Sequence, residues 1–438
     1  MNFNNKTKMS MINKAFIYKI FSVIFLFSVA SVNINGQIPA PDQKEPVALI
    51  NGTVVTVSGD IIEEGTVVFE DGEITAVGND VSIPENAQIE DISGKYLYPA
   101  MIHSGTHLGL REVSRVSETV DIREYGEINP NVRAEIAFNA ESRHVPFARS
   151  HGIAVAIVKP AGGIISGMAA AMTTDGWTWE DLVYQESAGM VINWPSMDDQ
   201  QQRDEAIEKL KEAFKKARRY YKAKKASEDY FHVKDVRWEA MIPVLEGEVP
   251  VIINASDYRQ IQSAIEWAEK EDIEIILSGI NQADLVIPHI KDRDIPVIVN
   301  SVFSGPSRQW EPYDQSLTLP AKLYEAGIDF CITGGSSAAN TIRLPNHATA
   351  AVAHGLPEKE ALKSITLYPA KLFGIDHRMG SIQTGKDASL IIADGNLLHL
   401  STQVEQVYIQ GRKLDMMDKH RFFYEKYFEK YKRMEETD

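Results

Sequence analysis

The stretch "YPAMIHSGTHLGL", Tyr98–Leu110, carries an apolar strand into two histidines, His103 and His107, four residues apart around Gly105. Histidines at the end of an apolar strand are raw material for a divalent-metal site, because neutral imidazoles suit Zn²⁺-type ions. In an extended strand residues i, i+2 and i+4 share a face, so His103, Gly105 and His107 are expected to point inward together. At about 3.3 Å per residue the two histidines then stand roughly 13 Å apart at Cα. Each imidazole must place a nitrogen about 2.0–2.1 Å from the ion, so one metal holds both only if the chain bends at Gly105. Otherwise His103 reads as a core histidine with a hydrogen-bond partner, and His107 as a residue lining a pocket.

The segments on either side of this stretch follow different patterns. Upstream, residues 46–98 alternate short β-branched runs with turns: "VALINGTVVTV", "GTVVFEDGEITAVG" and "AQIEDISGKYLYP". Asn51-Gly52 and Asp71-Gly72 predict hairpin turns there. Downstream, residues 99–373 alternate near-continuous apolar runs ("AMIH", "IAVAIV", "GMVINW", "VPVIIN", "IEIILS", "IPVIVN", "IDFCIT") with helical spacing such as "IQSAIEWAEKED". Runs of that kind suit parallel strands covered on both faces, and the fold class is α/β, a (β/α)₈ barrel. The glycines of "KPAGGIISGMAA" lack the following Lys-Ser/Thr of a phosphate loop and read as a loop at the barrel mouth. Lys159, which ends the "IAVAIVK" run, is the cation expected to face that mouth. Residues 204–230 form a long charged helix, whose interleaved glutamates make it a solvated face.

Residues 374–415 return to the β pattern, with turns at Asp394-Gly395 and Gln410-Gly411. They are expected to complete the 46–98 unit, so that both ends of the chain build one composite β-sandwich with the barrel inserted between them. In 416–438, Phe423, Tyr427 and Tyr431 fall at i, i+4 and i+8, which predicts an amphipathic helix packed on the body, with a partner surface as the other reading.

The chain has 438 residues, 44% apolar and 24% charged, as expected of a globular protein with a large core. Its first 36 residues differ: Lys6, Lys8, Lys14 and Lys19 precede "IFSVIFLFSVA", Ile20–Ala30. A basic segment before a short apolar run reads as a secretory signal peptide, cleaved after Ala30 or Gly36, with 37–45 as a linker. A membrane anchor is the alternative, but a span needs about 20 residues. The expected location is periplasmic or secreted, without a stable membrane anchor. The net charge is −16, and 1–36 contain no acid, so the mature chain is more acidic still. That argues against nucleic acid or an anionic membrane as a partner of the chain as a whole. The single cysteine, Cys331 in "IDFCIT", permits no intrachain disulfide and reads as a buried thiol.

The order β unit, barrel, β unit, together with "YPAMIHSGTHLGL", "AVAHGLPEKEALKSITLYPAKLFGID" and "RMGSIQTGKDASLIIADGNLL", resembles the amidohydrolase superfamily, in particular its imidazolonepropionase-like branch. The resemblance implies one or two divalent metals, zinc or a similar ion, at the C-terminal mouth of the barrel, and metal-assisted hydrolysis of carbon–nitrogen bonds in amides or cyclic amides. The implied ligands are His-x-His after the first strand, Lys or Glu after the fourth, His after the fifth and sixth, and a proton-shuttling Asp after the eighth.

Most of that set is missing. The first His position is Gly105 and the second is His107, the one weak remnant metal ligand; an Asp of the pattern is replaced by His103. "GMVINWP" offers neither Lys nor Glu, the fifth strand ends in Asn254, the sixth in Ser278-Gly279, and the Asp position is Gly335, with Gly334 or Ser336 at a slip of one. His144 and His151 precede the second strand and His289 lies in a helical segment; His347 follows the eighth strand, within reach of the mouth, but with His354 it falls at i, i+7 on a helix face where packing is the ordinary role. Neither His-Glu-x-x-His nor Gly-x-Ser-x-Gly nor a Walker loop occurs.

Two functions are therefore weighed. One is a non-catalytic or altered member with no cofactor, binding a small-molecule or peptide-derived ligand or partnering an intact homologous amidohydrolase. The other is an active hydrolase of carbon–nitrogen bonds with a divergent metal site or a metal-free one. The pocket candidates are His103, His107, Lys159, Asn254 and Ser336.

Overall fold

Ala100 alone separates two eight-stranded sheets: one strand ends at Pro99 and the next starts at Met101. The structure, a computed structural model, describes residues 38–226 and 234–436. The expected signal segment, 1–36, and the end of the 204–230 helix lie outside the described residues.

The first sheet takes strands from both parts of the chain. β1 (Val47–Val55), β2 (Ile61–Glu70), β3 (Glu73–Gly78), β4 (Gln88–Asp91) and β5 (Tyr96–Pro99) come before the barrel. Strands β14–β16, at Leu390–Ala393, Val404–Ile409 and Arg412–Lys413, follow it. The join is β5 against β14, antiparallel, with Tyr98 opposite Ile391. The expected composite domain is built from both chain ends as one curled sheet, in the order β16-β15-β14-β5-β1-β2-β3 with β4 on β1. Phe69 on β2 and Tyr408 on β15 are four strands apart in that order, about 19 Å if the sheet were flat. Their ring centroids are 5.3 Å apart, so the sheet curls over its own core. Tyr408 and Lys413 close the curl by donating to Glu90 of β4, at 2.8 and 2.6 Å.

Two of the turn expectations hold. Asp71-Gly72 and Gln410-Gly411 both pair two positive φ values, as a tight hairpin requires. Asn51-Gly52 does not turn the chain. It lies within β1, where Asn51 has φ 62° and the register to β2 slips between Leu49 and Gly52, so the left-handed residue makes a bulge.

The second sheet is the barrel, in chain order β6 (Met101–Thr106), β7 (Ile153–Val158), β8 (Ile165–Thr173), β9 (Val183–Asn193), β10 (Val251–Asn254), β11 (Ile275–Ser278), β12 (Val297–Val299) and β13 (Phe330–Ile332). Every residue of β7 is buried, as expected for a strand covered on both faces. β8 corrects the sequence reading. "KPAGGIISGMAA" was expected to be a loop, but its second half is a strand antiparallel to both β7 and β9. Small side chains there admit close neighbours: a Cβ on Gly167 would lie 2.6 Å from the Val132 carbonyl oxygen. The edge strands β6 and β13 meet without a ladder. Ile332 donates to the Ser364 carbonyl (3.0 Å) and Ile102 to Ile365 (2.9 Å) on one side, and Thr333 Oγ1 donates to Gly105 O (3.3 Å) further along.

The C-terminal helix, Lys419–Glu435, forms as expected but buries none of its residues, which corrects the expectation that it packs on the body. Its aromatic face is turned to solvent because the body contacts only its first turn.

Asp175 connects three parts of the molecule. It is fully buried, accepts from Arg149 Nη1 (3.0 Å) and from the Ala40 amide (3.3 Å), and lies 3.4 Å from Arg412 Nη2. Removing one partner of a buried charge set strands the others. Asp175→Ala is expected to lower the unfolding free energy by roughly 3–5 kcal/mol in urea denaturation. A loss below about 1 kcal/mol would show that this junction carries little.

Candidate functional site

The barrel mouth is set by β6. Against β7, His103 pairs with Ala156 and Thr106 with Val158, three steps on one strand against two on the other. The bulge falls at Ser104-Gly105 and interrupts the alternation that would have put His103, Gly105 and His107 on one inward face. His107 lies just past the strand, where its amide donates to the Ser336 carbonyl at 2.8 Å.

Lys159 follows β7. Its amide donates to Thr106 O at 3.1 Å, and its side chain turns inward and is buried. Its Nζ donates to Ser278 Oγ at 3.1 Å. A Cβ built on Gly105 would lie 2.9 Å from Lys159 Cε and 3.1 Å from Nζ. The ammonium therefore occupies the space between two positions, after the first and sixth strands, where the resemblance implies imidazoles. Burial pulls its pKa down to about 8, and no carboxylate acts on it. At neutral pH it is a buried cation without a counter-ion among the described residues.

Three imidazoles surround the centre, all neutral at neutral pH. His103 is fully buried, with Nδ1 3.2 Å from Thr333 Oγ1. Burial, then the His347 and Lys159 charges, hold its pKa at about 3. His107 is held at about 4 by burial, Arg111 and Lys159. His347, on the helix Leu344–Ala353, is held at about 4 by burial and Arg343. A Cβ on Gly334 would lie 3.4 Å from His103 Nε2 and 3.6 Å from His347 Cδ2, so both imidazoles converge on that glycine. Nδ1 of His107 and of His347 are buried with no partner. Sequence reasoning gave His347 a packing role; the one available signal was its position soon after the eighth strand. Cys331 is buried as expected, and burial pushes its thiol up to about 12.

The other candidates are not part of this cluster. Asn254 donates to Asn193 Oδ1 at 2.8 Å, and Asn193 donates in turn to Gly163 O and Ser166 Oγ, both at 2.9 Å. That amide network ties β10 to β9 and β8. Ser336 is exposed and contributes its backbone carbonyl. Gly335, at the Asp position, has φ 85° and open space where a Cβ would be. A carboxylate there would be strained, because L side chains rarely adopt that φ.

The donor set does not fit a divalent metal. Among the described residues no group of three or more His, Cys, Asp or Glu is gathered to hold one. The Lys159 ammonium also lies between two of the positions from which ligands would come.

Comparison with known proteins agrees with the fold. Residues 322–418, from the helix before β13 to the start of the C-terminal helix, match the Amidohydrolase family. The amidohydrolase tasK of Hapsidospora irregularis is 22% identical over 392 residues, which are 79% of this chain and 39% of that protein. The chain thus spans well under half of that curated relative. A crystal structure of an amidohydrolase from Thermotoga maritima MSB8 shares the fold, with TM-score 0.78 and 23% identity over 84% of this chain and 99% of that one. A structure of molinate hydrolase is similar at TM-score 0.53 and 15% identity, covering 87% and 96%. The family match covers 322–418, and the barrel and curled sheet have the same architecture as the Thermotoga maritima amidohydrolase structure.

Proposed function

We propose that this protein is an exported, metal-free member of the amidohydrolase superfamily, whose barrel mouth binds a small anionic molecule and does not carry out the metal-assisted hydrolysis of carbon–nitrogen bonds. One observation supports this reading above the rest: the Lys159 ammonium lies against Gly105 and bonds to Ser278, two of the positions from which metal ligands are missing. A buried cation without a counter-ion is costly. A carboxylate or similar oxyanion bound there supplies the missing charge, and the unpartnered Nδ1 atoms of His107 and His347 are available to its other oxygens. The ligand class is a small-molecule or peptide-derived acid. An intact homologous amidohydrolase is the proposed protein partner, and nucleic acid is not one. Export rests on the 1–36 segment alone; mature protein that begins at Met1 by mass spectrometry would rule it out.

Elemental analysis tests the site. Protein purified without chelator is expected to hold well below one Zn, Mn or Fe per chain and to show no metal-dependent hydrolysis of amides or cyclic amides. A catalytic zinc usually takes three protein ligands and a structural one four. Gly105→His, which displaces only the flexible end of Lys159, is expected not to restore metal, since Asn254, Gly279 and Gly335 still contribute no ligand. Stoichiometric metal that is lost on His107→Ala would instead establish an active hydrolase with a divergent site.

A further inference from the structure

We propose that the C-terminal helix, Lys419–Glu435, docks the protein on an anionic lipid surface, lying along the bilayer interface on its aromatic face. Phe423, Tyr424, Tyr427, Phe428 and Tyr431 are each between 39% and 70% exposed. At about 100° per residue they fill an arc of about 140°. Phe422 is the aromatic outside it. The rings stack along the helix, Phe423 on Tyr427 and Tyr424 on Phe428, with centroids 6.4 and 5.8 Å apart.

The charges follow the same geometry. Lys419, Lys426 and Lys430 border one side of the arc, Arg421 and Lys432 border the other, Glu425, Glu429 and Arg433 lie on the opposite side, and Glu435, in the last turn, falls within the arc near its Arg421 edge. Each lysine of the first border reaches over its neighbouring ring: Lys419 over Phe423 (6.0 Å), Lys426 over Tyr427 (5.9 Å) and Lys430 over Tyr431 (5.5 Å). Rings that enter the headgroup layer, with lysine stems running up its flanks to the phosphates, are how an interfacial helix binds. The helix holds six Lys and Arg against three Glu, in a chain of net charge −16, so the attraction to anionic lipid is local to this segment. No helix among the described residues is long and apolar enough to cross a membrane, so this one lies on the surface.

A second copy is a poorer occupant. Both borders of the arc are basic, so pairing two helices face to face sets cation against cation, and it draws together two strongly acidic bodies. The body also holds the start of the helix. Asp418 caps it through the His420 and Arg421 amides (2.7 and 3.1 Å) and accepts from Ser150 Oγ (2.8 Å). Arg421 donates to Val404 O at 3.0 Å. The remaining turns project free of the core.

The test is co-sedimentation of the full chain with vesicles of phosphatidylglycerol mixed into phosphatidylcholine, and with phosphatidylcholine alone. Binding is expected to the anionic vesicles only, and to weaken on raising salt. Lys426→Glu with Lys430→Glu is expected to weaken it about tenfold or more. Phe423→Ser, Tyr427→Ser and Phe428→Ser together are expected to abolish it while the urea midpoint stays put, since all three side chains are exposed. Failure of the unaltered protein to pellet with anionic vesicles overturns the proposal. A concentration-dependent dimer that the triple variant dissolves, without vesicle binding, also overturns it and assigns the face to a second copy.

Discussion

Lys159→Met is expected to make the protein more stable, by roughly 2–4 kcal/mol at neutral pH, and to remove the anion binding proposed for the barrel mouth. Burial holds the ammonium at about 8 against an ordinary value of 10.5, and each pH unit of that gap is worth about 1.4 kcal/mol. Below about 8 the group is charged in both folded and unfolded chains, so the whole penalty is present. Between about 8 and 10.5 the folded protein has released its proton while the unfolded chain still holds it, so wild-type stability rises as pH climbs through that window. Met keeps the stem packed against Gly105 and cannot be charged, so the variant gains the penalty back and loses that part of the pH dependence. Urea denaturation at pH 7 and pH 9.5 reads both effects. A variant less stable than wild type at pH 7 would mean that the ammonium is satisfied in a way its single bond to Ser278 does not account for. Stability given up at one residue of the barrel mouth is a sign of function there, because a core position under no other demand would be apolar.

The three neutral imidazoles set the second large effect, a steep loss of stability in mild acid. His103, His107 and His347 are held at about 3, 4 and 4, well under the ordinary 6.5. Above about 6.5 they are neutral in both states and cost nothing. Below it the unfolded chain takes up protons that the folded barrel refuses until its own low values are reached. Each histidine contributes a slope of about 1.4 kcal/mol per pH unit, so the three together remove about 4 kcal/mol per unit between roughly pH 6 and pH 4.5. A protein whose total stability lies in the lower half of the usual 5–15 kcal/mol, below about 9 kcal/mol, is then expected to unfold before pH 4. Urea midpoints at pH 7, 6 and 5 measure the slope, and His347→Gln is expected to reduce it by about a third. A flat profile over that range would show that the folded protein protonates these histidines as readily as the unfolded chain does, so that the site gains positive charge beyond Lys159 in mild acid.

Much of the architecture was legible because it depends on local pattern. Near-continuous apolar runs marked seven of the eight barrel strands. The eighth, β8, was missed because "ISGMAAAMT" is built of small residues whose strand character comes from neighbours packed tightly on both sides. Asn51-Gly52 carried the right backbone preference, but whether a left-handed pair makes a turn or a bulge is decided by the partner strand. The C-terminal helix was read correctly as amphipathic, yet periodicity says only that a face is apolar and not what covers it.

The same division holds at the site. The amino-acid sequence by itself determined what stands at the positions where the resemblance implies ligands: no fold turns Gly105, Asn254, Gly279 or Gly335 into an imidazole or a carboxylate. It also offered Lys159 as the cation facing the mouth. Only the tertiary structure decided where that charge goes, because a lysine stem of four methylenes reaches many places and burial alone picks one. It brought Ser278, from more than a hundred residues away, within 3.1 Å of the ammonium, and it drew His347 from a helix face toward His103 and Gly334. Those approaches depend on barrel curvature and on a bulge at Gly105, which arise from pairing between strands distant in the chain and leave no periodic mark in the sequence.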